Sequence, residues 1–363
     1  MPNPDAHLLP YLTSELPGVG GSIKVRPEDF CVEEIPLYEP CGEGEHLFLW
    51  VEKRDLSAEM LTQHVARLLG IGRSDVGVAG LKDRRAVTRQ YISVPASCED
   101  RIAAVESPLV RVLHSARHGN KLKTGHLRGN RFDVLIREAC ADAPSRAAAI
   151  AEIIRRSGFP NYYGDQRFGH DNETLAWGLD LLTGRKSEWD IPRSRRRFLL
   201  RLSLSAVQSA IFNEVLSRRI TDGLLESVLP GDVMQVRASG GPFVVEDVPR
   251  EQERFERGET VISGPMYGLK MRHPTGKAAE RELAALATFG LTPGSFAARR
   301  KLLPGTRRPL LAIAQGLQVQ ADKQGLRCGF DLARGVYATV LLREFMKNEP
   351  ATEELPEETG EPD

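Results

Sequence analysis

The stretch Ala79-Gly80-Leu81-Lys82-Asp83-Arg84-Arg85-Ala86-Val87-Thr88-Arg89-Gln90 sets one carboxylate among four basic side chains, Lys82, Arg84, Arg85 and Arg89. Nearby cations favour the charged form of a carboxyl group, so Asp83 is expected to stand ionised. A positioned, ionised aspartate can serve as a nucleophile or a base. The surrounding cations suit a phosphodiester backbone, which arginine grips in a forked geometry. The bland alternative is a surface turn with ordinary ion pairs, each contributing little.

The 49 Lys and Arg of the 363-residue chain balance 49 Asp and Glu, but not evenly. Residues 349–363 hold seven acids and no base, so residues 1–348 carry 49 cations against 42 acids, a net +7. The acidic tail reads as disordered and solvating. Between Arg111 and Phe132 lie six cations and no acid: Arg111, Arg117, Lys121, Lys123, Arg128 and Arg131. His114, His118 and His126 are interleaved with them. Gly119, Gly125 and Gly129 point to a hairpin or irregular loops, not a continuous helix. A second cluster, Arg193, Arg195, Arg196, Arg197 and Arg201, leads into an apolar helix. Both clusters are candidate phosphate-binding surfaces, with solvated faces as the alternative.

Other chemistries lack their residues. The five cysteines (Cys31, Cys41, Cys98, Cys140, Cys328) include no Cys-x-x-Cys pair, and histidines such as His170 and His273 fall at no metal-ligand spacing. No Gly-x-x-x-x-Gly-Lys-(Ser/Thr) loop occurs, and Gly18-Val19-Gly20-Gly21 lacks the strand–helix setting of a dinucleotide loop. Neither metal nor cofactor is therefore expected. No run of about 18 apolar residues could span a membrane, and residues 1–16 lack the basic start and apolar core of a signal peptide. A cytoplasmic location is the expectation, with no membrane and no obligatory protein partner.

The elements that must position Asp83 follow from periodicity. Residues 22–35 and 46–53 alternate as strands do, and 90–95 and 131–137 look like further strands. Ser57 starts a helix with Met60, Leu61, His64, Val65, Leu68 and Leu69 on one face and Gly70 after it. Residues 144–157 are a second helix. From Phe159 helices dominate, at 172–183, 195–222, 251–257 and 277–286, around a β-rich piece at 231–248. Alternating segments return at 310–319 and 324–331, before a helix at 335–347. The chain thus reads as mixed α/β, with 159–305 inserted into a unit built from 1–158 and 306–348.

Six segments in order resemble the TruD family of tRNA pseudouridine synthases. Lys24-Val25-Arg26-Pro27-Glu28-Asp29-Phe30-Cys31-Val32-Glu33-Glu34 is similar to the family's Lys-x-x-x-x-Asp-Phe-x-Val-x-Glu opening. The Asp83 turn resembles its Gly-(Met/Leu/Gln)-Lys-Asp-(Lys/Arg) catalytic turn, and Gly129-Asn130-Arg131-Phe132 its Gly-Asn-x-Phe. Residues 160–169 (Pro-Asn-Tyr-Tyr-Gly-Asp-Gln-Arg-Phe-Gly), 205–213 (Ser-Ala-Val-Gln-Ser-Ala-Ile-Phe-Asn) and 335–339 (Gly-Val-Tyr-Ala-Thr) complete the set. Residues 223–298 match least clearly.

The resemblance implies a pseudouridine synthase catalytic fold with a mainly antiparallel curved sheet, an inserted TruD-type α/β domain, and an RNA cleft between the two. It implies a cofactor-free isomerisation of uridine to pseudouridine in tRNA, at uridine 13 of the D-arm, with Asp83 as nucleophile. Lys24, Lys82 and Arg84 are each candidates for the cation beside Asp83. A stacked uridine must be flipped into a pocket. Phe132, then Phe30, is the expected aromatic wall, and Asn130 could read the uracil edge or fix the aspartate loop; core packing and a hairpin turn are their alternatives. Expected phosphate contacts are Arg117, Lys121, Lys123, Arg128, Arg167, Arg195, Arg196 and Arg197. Two rival readings are a non-catalytic RNA-binding protein or chaperone, and a glycosidase-like hydrolase pairing Asp83 with Glu33. A methyltransferase would need a cofactor loop.

Overall fold

Buried and half-buried residues alternate along Phe30–Pro36 (β1), putting Phe30, Val32 and Glu34 on one face. The same rule shapes β2 (His46–Arg54). Helix α1 (Ala58–Leu69) begins where the Ser57 hydroxyl accepts the Met60 amide and ends at Gly70, left-handed at φ 63°. Then come β3 (Gly77–Val78), β4 (Val87–Pro95), β5 (Val110–His118), β6 (Leu127–Arg137) and α2 (Ala143–Ser157). The middle of the chain forms β7 (Phe159–Pro160), α3 (Glu173–Thr183), α4 (Arg196–Thr221), β8 (Val233–Val236), β9 (Pro242–Val244), α5 (Val248–Glu256), β10 (Thr260–Met266) and α6 (Gly276–Ala287). It closes with β11 (Thr306–Pro309), β12 (Leu311–Ala312), β13 (Gln315–Asp322), β14 (Gly325–Ala333) and α7 (Ala338–Met346). This computed structural model describes residues 9–193, 195–299 and 302–348; the tail expected at 349–363 lies outside them.

The large sheet runs β13-β14-β6-β1-β4-β2-β5, with β3 beside β4. β1 and β4 are parallel and every other pair is antiparallel, as a mainly antiparallel sheet requires. Strand register puts Phe30, Val32, Phe132, Val134, Phe330 and Leu332 on one face, where α2 and α7 cover them with Ile150, Ile154, Leu341 and Phe345. On the same face α1 covers Leu47, Leu49, Val51, Ile92 and Val94. Between these two apolar fields the register places Glu34, Asn130, Thr88 and Lys53. That polar band is where the Asp83 turn lies.

A smaller sheet, β11-β10-β8-β9, packs against α4. The entering strand β7 and the leaving strand β12 pair side by side, Leu311 opposite Pro160. Because β11 pairs with β10, the expected cut at 306 falls inside this sheet. β10 escaped the periodicity reading because all seven of its residues are buried, which removes the alternation. Of the hairpin or irregular loops expected from Arg111, the structure has the irregular connection: β5 is an edge strand on β2, and β1, β4 and β2 separate it from β6. The helix expected from residue 335 starts at Ala338, since Gly335 has φ 79°.

β6 and β14 approach closely at Gly129, where a Cβ would lie 2.1 Å from the Leu332 carbonyl oxygen. Gly129→Ala is therefore expected to cost about 1–3 kcal/mol of stability, read as a lower urea midpoint at unchanged slope.

Candidate active site

The turn between β3 and β4 has no hydrogen-bond ladder of its own, and three lysines hold it. Lys24 Nζ donates to Asp83 Oδ1 at 2.7 Å. Lys53 Nζ donates to the Asp83 backbone carbonyl at 2.7 Å and to the Leu56 carbonyl at 2.6 Å. Lys82 Nζ donates to Glu34 Oε2 at 2.6 Å. The turn is pinned on both sides of its aspartate, while the Asp83 side chain remains 37 % exposed.

Each lysine reaches its place by a local device. Lys24 sits just ahead of β1 at φ 59°, a left-handed conformation that costs a non-glycine residue about 1–2 kcal/mol. The following turn is latched by Asp29, which accepts the Arg26 amide and a two-pronged guanidinium contact from Arg137 at 2.6 and 2.8 Å. Arg137 holds the Asp29 carboxyl below its ordinary range. Lys53 is fully buried because Leu47, Leu49, Val51 and Lys53 share the inward face of β2. Burial pushes its ammonium down to about 8, against the opposing pull of Asp83.

Lys82 and Glu34 form a pair only 3 % and 1 % exposed. Burial pushes the Glu34 carboxyl up and Lys82 pulls it back. Of the three candidate cations, then, Lys24 meets the Asp83 carboxylate, Lys82 is turned inward onto Glu34, and Arg84 points to solvent. Lys82 is thus buried on Glu34 beneath the turn, while Lys24 is the cation the structure sets on the Asp83 carboxylate.

Beside the turn stand three phenylalanines. Phe30 meets Phe132 edge-on at 6.0 Å, and Phe132 stacks on Phe330 at 5.3 Å. The Lys24 ammonium lies 4.3 Å from the centre of the Phe30 ring. These rings are 1 %, 7 % and 3 % exposed, so packing is their present role and Phe132 offers the largest edge. Asn130 is not a hairpin turn but a residue of β6, opposite Glu34 and Leu332. Its Oδ1 is buried without a partner, an acceptor left open beside the site. Sequence reasoning missed Lys53 and Phe330 and gave Glu34 no role. The period-2 patterns of β2, β14 and β1 carry the signal for all three.

The proposed RNA contacts divide. Arg117 is tied to Glu99 and Lys121 to the Ser74 carbonyl. Arg128 reaches the Leu37 carbonyl at 3.4 Å, and Lys123 is exposed. The interleaved histidines pack on aromatics: His118 stacks on Tyr38, His114 bonds Tyr91 and His126 bonds Tyr38. Arg195 and Arg197 are exposed at the start of α4, while Arg196 donates to the Ile191 carbonyl and covers Trp189. Arg167 lies between β7 and α3, bonded to Ser209. Glu33, the partner a hydrolase would need, is on the opposite face of β1, bonded to Arg89.

Comparison with known proteins agrees along nearly the whole chain. The family model described as tRNA pseudouridine synthase D (TruD) matches residues 8–189 and 193–345. The tRNA pseudouridine synthase D of Anaeromyxobacter dehalogenans is 42 % identical over 351 residues, covering 96 % of this chain and 99 % of that one. That of Thermus thermophilus is 42 % identical over 344 residues, covering 94 % and 92 %. A crystal structure from Methanosarcina mazei that bears the same name superposes with a TM-score of 0.75 at 26 % identity, over 95 % of this chain and 97 % of that one.

The buried pair gives a direct test. Lys82→Met strands the Glu34 carboxylate in the interior and is expected to cost about 3–5 kcal/mol in urea unfolding. Adding Glu34→Gln is expected to restore much of that loss; independent, additive losses would show that the two side chains are not coupled.

Proposed function

The chain belongs to the tRNA pseudouridine synthase D family and is a tRNA pseudouridine synthase, and from that premise we propose that Asp83 is its nucleophile and uridine 13 of the tRNA D-arm its target. The observation that carries the assignment is the 2.7 Å contact between Lys24 and the half-exposed Asp83 carboxylate. The isomerisation breaks the N1–C1′ bond, turns the uracil, and joins C5 to C1′; the C5 proton is released and N1 gains one. An aspartate can begin it by adding to C1′ or by taking the 2′ proton. Both routes need the carboxylate, and Lys24 balances its charge without burying it.

The target base must leave its stack to reach Asp83. The Phe132 edge and the open Asn130 Oδ1 lie next to each other on β6, with Phe30 behind. Phe132 is the proposed wall, and Asn130 can accept the uracil N3–H. Arg117, Lys121, Lys123, Arg128 and Arg195–Arg197 are proposed to contact phosphates, which position RNA without reading it. The segment 159–305, extended through β11, is taken as the domain that closes the RNA cleft from the other side. No described helix is long and apolar enough to cross a membrane.

With unmodified tRNA transcripts, wild-type protein is expected to form pseudouridine at position 13 and Asp83→Asn none, while both bind. Tight binding with no product from either protein would favour a non-catalytic RNA-binding role.

Lys53 adds a pH signature. Its proton is lost near pH 8, which removes a cation and a charged donor from the Asp83 turn, so kcat/KM is expected to fall as pH passes about 8. Lys53→Met should lower the rate and flatten that limb. The unfolded lysine keeps its proton up to its ordinary 10.5, so between 8 and 10.5 the unfolded chain binds more protons and this group makes the fold more stable as pH rises. A fall in activity without a fall in urea midpoint distinguishes this titration from alkaline unfolding.

A further inference from the structure

Three family-like segments have no part in the Asp83 site: 160–169, 205–213 and 335–339. They converge on one side chain that belongs to none of them, Arg308 in β11. Its Nε donates to the Asn161 carbonyl at 3.2 Å, and one terminal nitrogen to Asn161 Oδ1 at 2.5 Å and the Gly335 carbonyl at 2.9 Å. Its guanidinium lies 4.2 Å from the Tyr163 ring centre and 5.6 Å from that of Phe212. Arg167 approaches the same tyrosine at 5.5 Å, with its Nε on the Ser209 hydroxyl. Tyr337 packs against Tyr163 at 5.9 Å.

Neither guanidinium has a carboxylate. Arg307, the next residue, bonds the buried Glu282 at 2.6 Å, but Arg308 and Arg167 make no ion pair among the described residues. Burial lowers the Arg308 pKa, and the neighbouring Arg167 pushes in the same direction. Two cations held close together and half-buried without an anion are an incomplete arrangement, since buried charges are normally paired. Among the described residues Arg308 has, besides these contacts, a hydrogen bond with the Tyr163 side chain, and Arg167 has the Ser209 hydroxyl and the Tyr163 ring; both arginines are partly exposed. The first turn of α7 opens beside them, its N-cap Tyr337 giving no side-chain cap. The loop that supplies Gly335 leaves β14 just past Leu332, the partner of Asn130, so this place adjoins the catalytic face.

We propose that Arg308 and Arg167 form a clamp for one backbone phosphate of the substrate RNA, at the junction between the two sheets. The proposal rests on the tRNA reading above. Two guanidinium groups set against one tyrosine ring can each donate to an oxygen of the same phosphodiester, and Tyr163 helps keep the guanidinium planes in place.

The test uses Arg167→Gln, Arg308→Gln and Arg308→Lys in the full chain. Equilibrium binding of an unmodified tRNA transcript is followed from low to high salt, alongside pseudouridine formation and urea unfolding. Each Gln variant is expected to bind about tenfold more weakly, as loss of a charged hydrogen bond implies. Its salt slope should fall by about 0.7–0.9, the value of one phosphate contact. KM should rise with kcat retained at saturating tRNA, the mark of lost uniform binding. Arg308→Lys should keep the slope and lose affinity. Unchanged binding and slope in the Gln variants would overturn the clamp, leaving a structural latch whose loss shows only in unfolding. Should Arg308→Gln fail to fold, the partly exposed Arg167→Gln decides alone. Wild-type protein that binds but forms no product would sink the Asp83 assignment and leave the clamp standing.

Discussion

Three ammonium groups converge on the turn at 79–86, and like charges so close together persist only if each has its own oxygen. Lys24 takes the Asp83 carboxylate, Lys82 takes Glu34, and Lys53 takes the Asp83 and Leu56 carbonyls. The division is unequal in a useful way. Lys82 has a full counter-charge and can be buried with it. Lys53 has only dipoles, so desolvation weakens its hold on its proton. Lys24 is partly exposed and pairs with the one carboxylate that must stay reachable. An unladdered turn is thereby fixed at its carbonyl, its neighbour and its side chain, and the aspartate is held in place without being enclosed.

The sheet makes this division possible. Glu34 lies inward because Phe30, Val32 and Glu34 share one face of β1, and Lys53 lies inward by the same rule on β2. Because β4 lies between them, the two strands present their polar ends on either side of the turn that leads into it. The Asp29–Arg137 latch then fixes the left-handed step that aims Lys24. The spacing Lys24, Asp29, Phe30, Glu34 is thus a set of distances along one strand and the turn before it. A one-residue slip of β1 would put Glu34 in solvent and leave Lys82 buried alone.

Much of this was legible in the sequence. The stripe and Gly70 gave α1 to within a residue, and Asp83 stood out by its cations. The identity of the partner cation did not, because adjacent residues of an extended segment face opposite ways and local charge cannot say which neighbour comes from elsewhere in the chain. Lys24 lies 59 residues from Asp83. Lys53 was hidden by its type: a lysine at the end of a strand reads as solvated even where the alternation points it inward. β10 lacked a pattern because it is buried throughout, and the Arg111–Phe132 stretch left hairpin and irregular loops both open because pairing across the sheet leaves no local trace.

Charge counted along a sequence also overstates what an RNA would meet. Arg111, Arg117 and Arg131 face Glu52, Glu99 and Asp331, so half of the six cations in that stretch are already answered on the surface. Arg193, Arg195, Arg197 and Arg201 are exposed and make no ion pair among the described residues. Cations without an ion pair among the described residues thus remain at both places: Arg84, Lys123 and Arg128 on the side of Asp83, and the start of α4 with the junction at Tyr163 on the other. Salt-sensitive attraction follows uncompensated charge, whereas the reacting uridine must reach a carboxylate. On the function proposed above, the exposed cations at the start of α4 and at Tyr163 would hold RNA on the second sheet's side while Asp83 acts from the first, with the paired strands β7 and β12 joining the two.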